Sequence, residues 1–383
     1  MKRHVTAAGL LFACFWLTAC IQSAYGQPVA SFFYDARGNV TRQARDTNRD
    51  GKMDRWIYYD AQGQVERVEA DLNADEKADL FVYYENGLPK RQESSSRHDG
   101  RIDEWLFFDD NGDVVRKGQD PGGIGKPTLW LSYQNGRPLR SEESAEDGRL
   151  FRVVHYREGK VSRIDEDTDR DGRIDSRSYF ENGTLVRKEL DRKNSGRIDL
   201  WGYYKDGNLV RQEEDLRGDG KVSRVIYFQG EAVVRREEDT AGRGRMDLIE
   251  IFEQGKLKKR LRDAAGKGSW DTAYYYENGE LRREERDTDG DGFFDLRIHY
   301  ENDRIVRQEA DTNGDRKADV WVRYENGERV EQLEDQSFSG KVTARYRFAA
   351  GKVVAQEKVA DTPPPWAAAE FDSTGSSEAA TGA

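Results

Sequence analysis

One spacing dominates this chain: Asp167, Asp191, Asp215, Asp239, Asp263, Asp287, Asp311 and Asp335 each follow the last by 24 residues. A fixed period of that size marks a tandem array, in which each unit is one supersecondary element that buries its apolar groups only against its neighbours. The register runs back through Glu143, Asp120, Ser95, Asp71 and Asp46 with steps of 24, 23, 25, 24 and 25, giving thirteen units after a half unit from Ser31 to Arg45. Other columns keep the same register. Thirteen places after each start stands an aromatic: Tyr59, Tyr84, Phe108, Tyr133, Tyr156, Phe180, Tyr204, Phe228, Phe252, Tyr276, Tyr300, Tyr324 and Phe348. An apolar residue recurs seven places after the start, for example at Met53, Ile174 and Phe294, and a turn glycine follows the aromatic, as at Gly63, Gly183 and Gly279.

Within one unit, Asp167 to Asp175 (DTDRDGRID) reads as a turn-forming loop and SRSYF as a strand. Glu181-Asn182-Gly183 reads as a hairpin turn and TLVRKEL as the returning strand. Two strands alone are marginal in water, so stability has to come from stacked copies. Composition fits this thin architecture: 36% of the chain is hydrophobic and 35% charged, yet it holds 8 Trp, 18 Tyr and 16 Phe. Chains that are merely disordered lack such aromatics. The expected fold class is therefore all-β, an elongated array of tandem β-hairpin repeats over residues 31–360, as an open repeat sheet or solenoid, with the aromatic column buried as its seam. The segments YYENGLP (Tyr83 to Pro89), YFENGTL and YYENGEL (Tyr275 to Leu281) resemble the variant membrane-occupation-and-recognition-nexus repeat of bacterial surface and toxin-antitoxin proteins. That resemblance covers about half of each unit and implies hairpins rather than an activity.

Five units carry oxygen ligands at alternate places with a further Asp four residues on. They are Asp46/Asn48/Asp50/Asp54, Asp71/Asn73/Asp75/Asp79, Asp167/Asp169/Asp171/Asp175, Asp287/Asp289/Asp291/Asp295 and Asp311/Asn313/Asp315/Asp319. Short side chains at places one, three and five converge on one centre, and glycine at place six (Gly51, Gly172, Gly292) permits the sharp turn, so calcium is the expected cofactor. The pattern resembles the EF-hand and dockerin loop, and DTNGDRKADVWV also resembles the loop of FG-GAP blades, although those blades are far longer than 24 residues. The bidentate Glu of the EF-hand falls on Ile57, Val82, Ser178, Ile298 and Val322 here, which implies weaker binding than in a sensor. Asp and Asn also form turns through side-chain-to-backbone bonds. The degenerate copies Asp239/Ala241/Arg243 and Asp263/Ala265/Lys267 keep the turn without ligands, and Arg243 and Lys267 can stand in for a cation there.

After each hairpin turn an Arg column (Arg91, Arg140, Arg163, Arg187, Arg211, Arg235, Arg283, Arg307) is followed two residues later by acids such as Glu93, Asp165, Glu189 and Glu285. Residues two apart on a strand share a face, so cross-strand ion pairing that keeps the surface solvated is expected. Past the leader the histidines are His98, His155 and His299, with no nucleophile at a recurring spacing, and phosphate loops, HExxH and GxSxG are missing. No enzyme is expected. The net charge of -11 disfavours nucleic acid. Trp56, Trp105, Trp130, Trp201 and Trp321 at strand places leave a glycan- or peptidoglycan-binding surface as the alternative to a structural or protein-interaction scaffold.

The first residues read as an address. Lys2, Arg3 and His4 precede an apolar run from Val5 to Leu17, too short for a lasting membrane span, and Leu17-Thr18-Ala19-Cys20 resembles the bacterial lipobox. That resemblance implies a signal peptide over 1–19, a diacylated Cys20 opening a lipidated linker over 20–30, and a membrane anchor. Cys14 lies in the leader, which leaves Cys20 without a disulfide partner. Ile21 after the Cys leans towards the outer membrane of a bacterial envelope, where an envelope or surface protein is the expected partner. Pro363-Pro364-Pro365 ends the array, and 361–383 is expected to be a disordered tail.

Overall fold

A computed structural model describes residues 29–367, 370 and 371. Cys20 and the leader therefore lie outside the described residues, as does most of the C-terminal tail. The described residues form 28 strands, β1 (Ala30–Tyr34) to β28 (Lys352–Asp361), with no helix among them, so the all-β hairpin array is what the chain forms. Every pairing is antiparallel and joins strands adjacent in the chain. The half unit Ser31 to Arg45 is itself a complete hairpin, with Ala30 opposite Arg45.

The chain divides into two compact units at Pro127/Thr128. The first is the ladder from β1 to β8 (Val114–Gln119) and the second is the ladder from β9 (Leu129–Gln134) to β28. The dividing segment, Asp120-Pro-Gly-Gly-Ile-Gly-Lys-Pro127, contains two prolines that cannot donate to a ladder and three glycines that weaken extended structure.

The hairpin between β13 (Ser176–Glu181) and β14 (Thr184–Leu190) shows how each unit is built. Glu181 pairs with Thr184, leaving Asn182 and Gly183 as a two-residue turn with φ of 51° and 85°. Positive φ at both positions is the type I′ geometry whose twist matches the flanking strands, and Asn-Gly tolerates it best. Next to the turn the register slips between Tyr179 and Phe180, and the same slip recurs at Tyr203/Tyr204, Tyr275/Tyr276 and His299/Tyr300. The strict aromatic column thus sits at a β-bulge, which re-aims the side chain.

That column is not the fully buried seam expected from the sequence. Each of its thirteen aromatics is half-buried. A single layer of strands has only the flanking unit to cover a ring, and Tyr300 accordingly reaches back to donate its hydroxyl to Glu284 at 2.7 Å, as Tyr324 does to Gln308 at 3.2 Å. Most of the largest fully buried side chains are polar instead. Glu250, Glu285, Glu309, Asp79, Asp215 and Asp335 are all nearly inaccessible.

Candidate functional site

Each unit puts its Asp loop at the same end of its strands, so successive loops lie side by side along each ladder. The first Asp of the loop accepts the loop's own amides. Asp167 takes Asp171 N at 3.2 Å and Gly172 N at 2.8 Å, and Asp287 takes Gly290 N at 2.6 Å and Gly292 N at 3.1 Å. Asp46, Asp71 and Asp311 do the same with Arg49 and Gly51, Ala74 and Glu76, and Gly314 and Arg316. Place three caps place five, as in Asn48 to Asp50, Asn73 to Asp75, Asp169 to Asp171, Asp289 to Asp291 and Asn313 to Asp315. Place five in turn caps place seven, and Asp54, Asp79, Asp175, Asp295 and Asp319 at place nine close the loop onto the amide of place two. Backbone places four and six are both left-handed: Arg170 and Gly172 have φ of 65° and 97°. The sequence pattern flagged only place six.

These cross-loop bonds are shared by loops without the full ligand set. Asp239 accepts Arg243 N and Gly244 N, and Asp247 accepts the Thr240 amide and hydroxyl. Turn formation is therefore a role of these residues in full and degenerate loops alike, and what distinguishes two of the full loops is the gathering of carboxylates. Among the described residues, Asp167/Asp169/Asp175 and Asp287/Asp289/Asp295 each bring three ligand oxygens within 4.8 Å of one another. The place-five acids stand outside both groups. Asp171 bonds Arg173 and Asn194, and Asp291 bonds the Phe293 amide. In the loops at 46, 71 and 311, Asn48, Asn73 and Asn313 replace one acid at place three, so no triple-carboxylate group forms there.

The donor set suits a hard cation. Oxygens on a shell of about 2.4 Å radius, as around calcium, are at most about 4.8 Å apart, and the oxygens of both groups lie within 4.8 Å of one another. Burial pushes the Asp295 carboxyl above the ordinary range despite amide and hydroxyl bonds from Thr288 and Asp289, and the neighbouring Asp289 charge adds to the shift. Asp319 is pushed up in the same way, with Asp311 and Asp315 adding.

The degenerate loops carry their own cations, which reach forward to the next loop. Arg245 meets Asp263 at 2.6 Å, Arg217 meets both the carboxylate and the carbonyl of Asp239, and Lys193 donates to the Asp215 and Leu216 carbonyls at 3.1 and 2.9 Å. Arg243 likewise reaches the Asp263 carbonyl at 3.4 Å, and Lys267 lies so close over Gly290 that a Cβ there would collide with its Nζ. At Asp239 burial works to raise the pKa, but the bonds from Gly244 and Arg243 and the Arg217 charge outweigh it and hold the carboxyl low.

On one face of each ladder a second aromatic column emerges that the sequence reading did not single out. It contains Tyr58, Tyr83, Tyr179, Tyr203, Tyr227 and Tyr275, placed opposite the Arg column in the strand register. The Arg91 and Arg283 guanidinium groups lie 4.1 and 4.0 Å over Tyr83 and Tyr275, and Tyr203 and Tyr275 donate to Glu213 and Glu285 at 2.8 and 2.9 Å. The Arg–Glu pairs expected across strands are largely made along one strand, as in Arg187–Glu189 and Arg140–Glu142. His155 and His299 take the Tyr place, and their Nε2 atoms reach Asp165 and Glu309 at 3.1 and 3.2 Å, while His98 Nδ1 lies 3.2 Å from Asp79. A Tyr, or a His in its place, recurring at the unit period opposite Arg was the available signal.

Comparison with known proteins adds little to this geometry. No protein-family model matches the chain, and no curated protein does. Among solved structures, the accessory secretory protein 1, 2 and 3 complex of Streptococcus pneumoniae is 18% identical over 32% of this chain, with a TM-score of 0.18. A TcdB2-TccC3-TEV structure is 12% identical over 86% of this chain, with a TM-score of 0.20. The chain covers 20% of each of those two structures.

Proposed function

We propose that this chain is a non-enzymatic, calcium-binding repeat lipoprotein of the bacterial envelope that acts as a structural or protein-interaction scaffold. The observation that carries the calcium part is the gathering of Asp167/Asp169/Asp175 and of Asp287/Asp289/Asp295. Calcium takes six to eight oxygens, so three carboxylates supply a partial shell and a modest affinity. Bound calcium would offset the mutual repulsion of these acids, the part that Arg217, Arg245 and Lys193 play in the degenerate loops.

Calorimetric titration of the delipidated protein with calcium tests this. Heat from about two sites is expected, and one of them should vanish in the Asp287→Ala/Asp289→Ala variant. Asp239→Ala should leave the calcium heat intact. Chelator should lower the melting temperature, because a ligand bound only by the folded state adds RT ln(1 + [L]/Kd), about 2.7 kcal/mol per site at a hundredfold excess over Kd. If millimolar calcium alters neither the melting curve nor the heat, the loops are turns only.

The envelope part rests on the lipobox resemblance of Leu17-Thr18-Ala19-Cys20. Cys20→Ala should move the protein from the membrane fraction to soluble or unprocessed forms, since the acyl chains would be its anchor. A processed Cys20→Ala protein retained in the membrane would overturn the anchor.

A second reading, a glycan-binding surface, is favoured by the placement of the tryptophans. Trp56 and Trp105 in the first unit, and Trp130, Trp201 and Trp321 in the second, each fall opposite a Glu of the face bearing the Arg column. All but Trp321, which is buried, are partly accessible. Retention on peptidoglycan that is lost in Trp201→Ala would support the glycan reading over the scaffold.

A further inference from the structure

Past the array the described residues are 361–367, 370 and 371. β28 runs through Asp361, and the chain then turns back over the sheet of its own unit. Phe371 is only 5% exposed, packed with Ile249, Leu261, Ala273 and Phe294. Its amide donates to the Arg316 carbonyl at 2.9 Å, and the Arg297 guanidinium lies 4.9 Å over its ring while donating to the Glu370 carbonyl at 3.4 Å. Trp366 sits 5.5 Å from the Arg307 guanidinium.

The covered strands lie between β19 (Leu248–Glu253) and β24 (Arg304–Ala310), on the face that carries the Arg and Tyr columns. Elsewhere on that face arginines stack on tyrosines of the same sheet, as Arg211 does on Tyr203. Around the tail the same chemistry accepts rings from outside the sheet. Ile249 and Ala273 stand in the column that holds Trp201 and Trp321 in other units, so smaller side chains leave room for an incoming ring. Arg307 also lines a groove with Tyr275, Arg283 and His299, which extends the site towards the hairpin turns. The Pro363-Pro364-Pro365 run fixes φ along the segment, and Ala367 N closes a turn on the Pro364 carbonyl at 2.9 Å that presents Trp366, which lowers the entropic cost of docking it.

We propose that this face of β19 to β24 is a receptor for a protein segment bearing a Trp and a Phe, and that the chain's own Trp366 and Phe371 fill it in cis as a displaceable plug. The inference deepens the scaffold reading by naming the partner chemistry, and it does not depend on calcium. A partner segment would present one ring to Arg307, a second to the Ile249/Leu261/Ala273/Phe294 pocket beneath Arg297, and a backbone amide to the Arg316 carbonyl.

The probe is a fluorescently labelled synthetic peptide with the sequence of residues 361–371, tested by anisotropy against the full-length chain and its full-length Trp366→Ala/Phe371→Ala variant. The variant should bind the peptide at least tenfold more tightly than the wild type, a scrambled peptide should not bind, and adding Arg307→Ala should weaken binding about tenfold. Circular dichroism and a melting curve establish that each variant is folded. Independently, excess peptide added to the wild type should raise hydrogen exchange in the 364–371 segment. Equal affinity for wild type and variant, or no binding to a folded variant, would overturn the proposal, and either result would leave the calcium titration standing as a separate test of the loops.

Discussion

Replacing Arg297 with Met is expected to lower the free energy of unfolding of its part of the sheet by about 3 to 5 kcal/mol, because it removes the buried cation that two buried carboxylates share, with only the more exposed Arg283, 3.6 Å from Glu285, left beside one of them. The Arg297 side chain is 5% exposed and stands between Glu285, 0% exposed, and Glu309, 1% exposed. Its Nε lies 2.7 Å from Glu285 and its Nη1 3.7 Å from Glu309. Tyr275 donates to Glu285 and His299 reaches Glu309, so each carboxylate keeps a hydrogen-bond partner after the substitution, but both lose the cation shared between them. Arg297→Lys should recover little, since a single ammonium lacks the planar fork that serves two carboxylates from one position. Combining Arg297→Met with Glu285→Gln and Glu309→Gln should recover most of the loss, because neutral partners of similar shape avoid the stranded charge. Hydrogen exchange resolved by unit is the appropriate readout, as repeat arrays can open locally. A loss of less than about 1 kcal/mol in the unit around Arg297 would contradict the burial argument.

The second large effect is expected at the first Asp of a loop. Asp215 is 2% exposed and accepts Gly218 N and Gly220 N, each at 2.7 Å, with Asp219 N at 3.3 Å. Asp215→Ala removes the acceptor for amides that the folded loop shields from water, at a cost of about 2 to 4 kcal/mol, whereas Asp215→Asn keeps one oxygen and should cost roughly half as much. Burial pushes the Asp215 carboxyl up, but the bonds from Gly220, Gly218, Asp219 and Arg217 outweigh it and hold its pKa below the ordinary value. A depressed folded pKa contributes stability that is present above the unfolded value, about 3.9, and is lost as pH falls through the folded value. The wild type should therefore lose stability steeply below about pH 4, with Asp191, Asp239, Asp263 and Asp335 contributing in the same direction. Asp215→Ala should flatten that acid limb. Asp295 and Asp319 have the opposite sign: with raised folded pKa values, their contribution is present below the ordinary value and is lost as pH rises through the folded one. An acid limb as steep in Asp215→Ala as in the wild type would show that the loop carboxylate is not what titrates.

Much of the architecture was legible because its causes are local. The 24-residue period, the Asn182-Gly183 turn and the Asp-to-amide capping of each loop depend on residues a few places apart, and those are written in the order of the chain. The sequence therefore determined the all-β hairpin array, the place of every turn, and the candidate ligand positions. Which loops gather their acids was only partly visible. Asp169 and Asp289 complete a triple cluster where Asn48, Asn73 and Asn313 do not, a difference that the shared spacing concealed but the residue identities at place three recorded.

What the tertiary structure alone decided is which groups lose water. A hairpin pattern states that a face exists and leaves open what covers it. The strict aromatic column is half-buried because only the neighbouring unit shields it, while the Tyr, Arg and Glu columns lock one face through pairs fixed by strand register. The Glu285–Arg297–Glu309 cluster is buried in part by a tail segment whose Glu370 lies 73 residues from Arg297, and no periodicity encodes that contact. Burial is a property of the whole packed surface, and so the energetics of these charges follow from the docking of a segment that the repeat pattern leaves out.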